Sequence, residues 1–505
     1  MPRRSWTAVV VVACLLVPLA AAAPAGPPTF GAAKDVLSFS GDVVGGLSEI
    51  ETGDVNGDGI ADVVGTRLAF PVAHKTFPVG IFLGDGKGGF VDGSSLWDGA
   101  PAETEHGRQI LIADFNGDHR NDIFVADHGY DAEPFPGHRN TLILSTPQGK
   151  LVDASGNLPP ESGFTHSAAV ADVNHDGSLD IYAGNLCCGD HTPPEILLND
   201  GTGHFTRRLD LLPPDLQDTN NYVYTRSVFL DANGDGAPDL VLGAANQTAD
   251  STVLLNDGSG HFRFGPALPP KPFGSRSILI SFATLDVNGD GKTDLLAGFQ
   301  HEDFSGRRIQ VLISGGDGSF RDETAARLPA QDEGQGWPYA IRVADVNGDG
   351  SLDFAVSLHQ GGNERGPLYL NDGTGVFHQT SLPATSDTFL FLDANNDGHV
   401  DIFDSFPGGP GGTERHQVQL QLVRVAAPPA VRLRVLKDRL RVTWAAVTGA
   451  SSYEVWRNGK RVATVTATQF DDRRAAKRVK YAYRVRAVNE LGPGDFSSTV
   501  TGRRR

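Results

Sequence analysis

Oxygen-bearing side chains recur along this sequence at one fixed spacing. Between Asp345 and Asp353 they occupy the first, third, fifth and ninth positions, as Asp345, Asn347, Asp349 and Asp353. The same set appears as Asp54, Asn56, Asp58 and Asp62, as Asp114, Asn116, Asp118 and Asp122, and as Asp172, Asn174, Asp176 and Asp180. It returns as Asp231, Asn233, Asp235 and Asp239, as Asp286, Asn288, Asp290 and Asp294, and as Asp393, Asn395, Asp397 and Asp401. Alternate positions of a tight loop bring such oxygens to one point. Carboxylates gathered there repel one another, so a cation is expected between them. Hard, partly anionic oxygen donors suit Ca2+ better than a transition metal. Seven acidic turns without an ion would not account for four oxygen positions held in seven copies.

The sixth position is glycine in six of the copies, where a positive φ lets the chain wrap around an ion; the exception is His119. An EF-hand would need a bidentate Glu at the twelfth position, and here that position includes Gly65, Ala183 and Val356. Runs such as Gln109–Ala113 before a loop and Asp122–Ala126 after it read as strands, so each loop is expected to join two strands of a hairpin.

The loops start 60, 58, 59, 55, 59 and 48 residues apart, a period that marks a repeat architecture. A third strand in each repeat runs into a glycine-rich turn, as in Leu197-Leu-Asn-Asp-Gly-Thr-Gly-His-Phe205, with relatives at Asn256–Gly260, Asn371–Gly375, Asp85–Gly89 and Gly316–Gly318. Such turns are hairpin signals. A fourth strand is expected to start at the aromatic after the turn. Four antiparallel strands per unit, repeated radially, predict a β-propeller.

The Asp-x-Asn-x-Asp-Gly-x-x-Asp spacing, with its Asn-Asp-Gly-x-Gly hairpins, resembles the FG-GAP or VCBS repeat family, whose members include the integrin α-subunit propeller. The resemblance covers about residues 29–425. It implies a seven-bladed β-propeller over 26–426, with Ca2+ held in all seven loops by the four side chains and a main-chain carbonyl. His119 departs from the pattern, so that loop is expected to be weak or reshaped. The seventh unit lacks the turn and its fourth strand, and Asp35–Phe39 is expected to supply it and close the ring, which removes an open edge.

After Ala427-Pro-Pro429 the pattern changes. Residues 427–505 carry a net charge of +12, against −30 for the rest of a chain whose total is −18, and such a shift marks a domain boundary. The loops alone hold 21 Asp, so the acidity reads as a metal signature before a partner signature. Trp444 and the run Tyr481-Ala-Tyr483 resemble the core Trp and corner Tyr of a fibronectin type III domain, expected over 427–502. Trp444, Tyr453 and Tyr481 are expected in its core. The fold class is therefore all-β: a propeller followed by a β-sandwich.

Residues 1–25 read as a secretory signal, with Arg3 and Arg4, the apolar Ala8–Val17 and small residues at Ala20–Ala23. The apolar run is short for a membrane span. After cleavage, a secreted, periplasmic or cell-surface monomer is expected, with no membrane span and no nucleic-acid partner. Glycine pairs fall in hairpins and not in nucleotide loops. Only Cys187 and Cys188 then remain, as a vicinal disulfide or as thiols that join His191 on a metal.

If the loops lie at one end of each hairpin, the other end gathers a different set. His106, His166, Arg226, Arg276, Trp337 and Tyr339 begin first strands, and Asp127, His128, Tyr130, Asp131, Asn185, His191, His301, Glu302 and His359 follow second strands. His106, Asp127, His128, Tyr130, Asp131 and His166 are the candidate ligand face, able to bind a metal or a glycan, with histidines expected to titrate near neutral pH. Two function classes follow. One is an extracellular propeller that binds protein or carbohydrate, as in adhesion, with calcium as cement. The other is an extracellular enzyme acting on polysaccharide through the His/Asp face. No catalytic motif such as Gly-x-Ser-x-Gly or His-Glu-x-x-His is present.

Overall fold

The computed structural model describes residues 27–504 apart from 41–46, 70–73, 187–191, 218–222, 246–248, 335, 360–365, 384, 407–412, 423–424, 448 and 490. The expected signal segment and the Cys187, Cys188 and His191 cluster lie outside the described residues. The chain divides into two compact units. One comprises Ala33–Asn396 and Val400–Val418, and the other Pro28–Ala32, Asp397–His399 and Gln419–Arg505.

Among the described residues the larger unit holds seven four-stranded antiparallel sheets. Their first strands are Leu47–Gly53, Gly107–Ala113, Thr165–Ala171, Tyr224–Leu230, Ser277–Leu285, Trp337–Ala344 and Phe389–Leu392. Each touches the next, and the last touches the first. Second strands such as Asp122–Asp127 are buried at every residue because sheets cover both their faces. Fourth strands such as Phe320–Asp322 are buried only at their first residue. Five fourth strands begin at the aromatic after the glycine turn, at Phe90, Phe205, Phe262, Phe320 and Phe377.

The core lies between successive sheets. Phe115, Phe124 and Leu142 of one pack with Ile181, Leu197 and Phe205 of the next, and fully burying one such side chain stabilises by about 1.5–3 kcal/mol. Polar staples reinforce the stack at the loop end. Asn199, Asn256 and Asn371 of the glycine turns donate to the carbonyls of Phe115, Val173 and Val287, each the second residue of the preceding sheet's loop, at 2.7, 2.8 and 3.2 Å. The N–H of Gly318 and Gly88 make the same bond to Ala232 and Ala394, the latter joining the last sheet to the first.

Lys34–Ser40 pairs antiparallel with Thr413–Gln419, from Lys34 opposite Val418 to Ser40 opposite Thr413. The stretch expected to complete the seventh sheet therefore does so.

The smaller unit has one sheet of Arg432–Val435, Leu440–Thr443 and Gln469–Asp472, and a second built on Ser452–Arg457 and Lys480–Asn489. Trp444, Tyr453 and Tyr483 are buried between them, with Tyr481 partly buried at the edge of this core. Among the described residues no helix is long and apolar enough to cross a membrane.

Candidate functional site

Six of the acidic loops share a core of internal hydrogen bonds, and the seventh repeats the bond to its fifth residue, with Asp397 Oδ1 accepting the N–H of His399 at 3.0 Å. In the first, Asp54 Oδ1 accepts the N–H of Gly57 at 2.7 Å and Asp54 Oδ2 that of Gly59 at 2.8 Å. Asn56 Oδ1 accepts the N–H of Asp58, and Asp58 Oδ1 that of Ile60. The fourth and sixth residues both take positive φ, not the sixth alone. His175 and Asn396 occupy the fourth position with φ of 58° and 55°, and His119 occupies the sixth with φ of 66°. His119 therefore does not reshape its loop, since its N–H bonds Asp114 Oδ2 at 2.7 Å as Gly59 bonds Asp54. It bears instead the left-handed strain of about 1–2 kcal/mol.

The ninth aspartates behave differently from the first, third and fifth residues. Asp62 is fully buried, with Oδ2 accepting the N–H of Val55 at 3.1 Å and Oδ1 that of Gly84 at 3.0 Å. Asp122, Asp180, Asp239, Asp294 and Asp353 repeat this, each tying its loop to the third strand of the same sheet. Burial pushes Asp62, Asp180 and Asp353 up to about 7 and Asp122 and Asp239 up to about 6, helped by the other loop carboxylates. The donors are all oxygen and mutually repelling, which fits a hard cation such as Ca2+. Among the described residues no loop brings three carboxylates within 4.8 Å of one another. A lone pair on the ninth carboxylate's oxygens remains for a cation.

The opposite end of the second hairpin carries the candidate ligand face. Gly107 pairs with Asp127, so His106 and His128 stand just beyond the last pair, and the His128 N–H bonds the His106 carbonyl at 3.0 Å. Their rings meet edge-on with centroids 4.9 Å apart. His128 lies 5.0 Å from the His166 ring and packs on Phe164 at 3.5 Å. His106, His128 and Asp131 each offer a ligand atom within 4.8 Å of the others. Asp127 is fully engaged: Oδ1 accepts the N–H of His106 and Gly129, both at 2.9 Å, and Oδ2 accepts that of Glu105 and the His138 Nδ1–H. It fastens the turn and leaves Asp131 as the open carboxylate. Tyr130 stacks on His74 at 3.5 Å, outside this group.

A repeated irregularity aims further residues at the same neighbourhood. On six first strands the register slips by one residue against the second strand. The extra residue is Arg108 in the second sheet, His166 in the third and Tyr339 in the sixth. Bulges of this kind redirect side chains beside functional sites. His166 Nδ1 lies 3.2 Å from the Thr225 carbonyl and 3.3 Å from Arg226 Nη1, and Nε2 lies 3.4 Å from Arg108 Nη2. Arg226 Nη1 also bonds the Thr225 carbonyl, at 2.9 Å, and Tyr339 donates to Glu49 at 3.0 Å.

Burial governs the charge state here. It holds His106 down to about 3, and His128 and His166 far below the usual histidine range, with Arg108 adding to the effect at each. The expectation of titration near neutral pH is therefore corrected: these rings are neutral there. Burial raises Asp131 and Glu49 against the pull of the arginines, and lowers Arg226 to about 10. Burial would also raise Asp127, but His138 and the N–H donors outweigh it and hold it low, while the Asp127 bond raises His138.

The FG-GAP-like repeat profile matches residues 54–125, 114–183, 231–297 and 286–356, together just over half of the chain. The chain belongs to the FG-GAP-like repeat family. Each match runs from the first Asp of one repeat loop into the second strand of the following sheet. No curated protein matches the chain. Among solved structures, the Dos1 propeller is similar over 82% of this chain and 87% of its own, at 9% identity and a TM-score of 0.41. A glycoside hydrolase family 43 β-1,3-galactosidase with galactodeoxynojirimycin covers 56% of this chain and 94% of its own, at 10% identity and 0.31. An Fn3-like protein from Clostridium thermocellum covers 16% of this chain and 96% of its own, at 26% identity and 0.16.

The remaining face residues of this FG-GAP-like chain form separate groups. Trp337, Tyr339 and His359 cluster with ring centroids 4.8–5.9 Å apart, and His359 pairs with Asp387. Arg276 pairs with Glu302, and His301 with Glu333. Asn185 is buried, accepting the Thr165 hydroxyl. Sequence reasoning missed Arg108, His138 and Glu49. Arg108 stands two residues after His106, but only the register slip turns it toward the group.

Proposed function

We propose that this chain is a secreted, calcium-stabilised seven-bladed β-propeller with a C-terminal fibronectin type III domain, and that it binds an extracellular protein or carbohydrate. The ring of seven four-stranded sheets supports the blade count. The repeated oxygen loops support Ca2+, held by the first, third and fifth side chains with a lone pair of the ninth carboxylate. In the smaller unit, the Tyr481 hydroxyl accepts the N–H of Ala476, five residues upstream, at 3.1 Å. Such a tyrosine corner, beside a buried Trp444, supports the fibronectin type III reading.

One observation carries the binding site: His106, His128, Asp131, Arg108, His166 and Arg226 gather at the end of the hairpins opposite the uniform loops. A recognition site uses chemically diverse side chains, and loops fixed by an ion cannot supply them. A second reading, an enzyme acting on polysaccharide, rests on Asp131, whose carboxyl burial pushes up toward the range of a proton donor. A glycan array on the calcium-loaded protein, run beside activity assays on the same polymers and beside a screen of extracellular proteins, tests both. Stable binding lost in Arg226→Ala supports the first reading. Turnover without stable binding supports the second, and the absence of both binding and turnover overturns both.

A further inference from the structure

We infer that His106, His128 and Asp131 form a site for one divalent transition-metal ion of the zinc class, separate from the proposed calcium loops. The site deepens the proposed ligand face and rests on that reading for its place only. The three ligand atoms lie within 4.8 Å of one another, and His128 Nε2 is 4.0 Å from Asp131 Oδ1. The two histidines are 4% and 1% exposed, and the Nδ1 of each is buried without a hydrogen-bond partner. An orphaned buried polar atom costs about 1–3 kcal/mol. Each neutral ring carries one lone pair on nitrogen, and at His128 it is Nε2, facing Asp131, that can offer it to a metal.

The donor chemistry selects the ion. Two imidazoles and one carboxylate suit zinc and its neighbours, whereas calcium takes oxygen ligands. Three protein ligands leave a fourth position open, as in zinc sites that accept an external ligand. Tetrahedral zinc bonds of about 2.0–2.1 Å place ligand atoms roughly 3.3 Å apart, so the cluster must contract on binding. The histidines are fixed, by the His128 N–H to His106 carbonyl bond and by Phe164 behind His128. Asp131 supplies the movement, since its side chain is 42% exposed on the turn.

Other groups nearby do not compete for the ion. His166 has its ring nitrogens on the Thr225 carbonyl and Arg108, and Asp127 is saturated by N–H donors. Arg108 Nε is buried without a partner. Its positive charge beside the cluster favours an anionic group, a carboxylate or sulfate of the bound ligand, as the fourth ligand on the metal.

The test uses the full chain with Cys187→Ser and Cys188→Ser, because thiols also take zinc, in saturating calcium chloride. Zinc chloride is titrated by calorimetry, and cobalt(II) chloride by visible absorption. One zinc per chain is expected, with a tetrahedral cobalt spectrum, and Asp131→Asn, which removes a direct ligand, should weaken zinc by at least the roughly 10–100-fold that loss of an outer-shell partner costs. His128→Asn should abolish the cobalt spectrum. Asp131 is partly exposed, so its variant folds even if the histidine variants do not, and it decides alone. No zinc binding, or an affinity unchanged in Asp131→Asn, overturns the site. Zinc binding with no glycan or protein partner would leave the metal site standing and overturn the binding reading of the face.

Discussion

Replacing Asp353 by asparagine separates the two duties of the ninth loop position. Asp353 is fully buried, and Oδ1 accepts the N–H of Asn371 at 2.8 Å while Oδ2 accepts those of Val346 at 3.0 Å and Asn347 at 3.3 Å. Asparagine keeps one oxygen, so its amide N–H2 must face a backbone donor on one side. Losing a bond to a charged acceptor costs about 1.5–3 kcal/mol. Burial holds Asp353 up at about 7, so the neutral side chain recovers part of that cost near neutral pH. A net loss of about 1–2 kcal/mol is expected without any calcium. Asp349→Ala is the contrast. Its carboxylate raises Asp353 by repulsion but accepts the Ser351 N–H and the Asn347 side-chain N–H, both at 2.9 Å, so its removal should have a smaller effect than Asp353→Asn in chelator and a large one in calcium. Calorimetry of both variants with calcium and with chelator reads the difference. If Asp353→Asn unfolds like the parent in chelator and differs only in calcium, the ninth aspartate is a ligand alone and the reasoning fails.

Four further outcomes follow from the same structure. Calcium should raise the unfolding transition of the larger unit and leave that of the smaller one unchanged, because a ligand of the native state stabilises by mass action; one unmoved transition for the larger unit would refute it. His119→Gly should stabilise by about 1 kcal/mol, since glycine removes the strain of φ 66° without changing the loop, read by denaturant midpoint at constant calcium. Deleting residues 26–40 should leave the outer edge of Thr413–Gln419 unpaired and cause association, visible by light scattering. In the smaller unit, Arg441 holds Asp471 low, and Arg486, Arg461 and Trp456 hold Glu454 low against its burial. Depressed carboxylates contribute stability above their unfolded values and lose it as pH falls through their folded ones, so this unit should weaken progressively below about pH 4.5, as followed by its calorimetric transition.

Much of the scaffold was legible in the sequence because it obeys short-range rules. A fixed spacing of oxygens located the loops, and Phe205, Phe262 and Phe377 marked where fourth strands begin. The unassigned Asp35–Phe39 was found by asking which sheet lacked a strand. The site was legible only in part. His106, His128, Asp131 and His166 were found because topology alone puts strand starts beside strand ends. Arg108 was not, since a one-residue register slip decides which way it points and no local pattern announces the slip. Protonation was misread for a related reason: an imidazole flanked by Phe164 and buried at 1% exposure looks the same in sequence as a solvated one. The ninth aspartates read as ligands, and their service to the third strand needs the partner strand in place to be seen.

The pairing of Lys34–Ser40 with Thr413–Gln419 also sets an order of events for the newly made chain. Six sheets draw all four strands from contiguous sequence and can form as each repeat emerges. The seventh cannot, because its outer strand is made before all the other sheets and its other three only after them. That strand must wait, unpaired, for almost the whole larger unit to be synthesised. Long-range closure of this kind is slow, so the circle is sealed last. A chain cut short anywhere before residue 413 carries a strand with no partner, which marks incomplete copies as sticky and open to proteolysis.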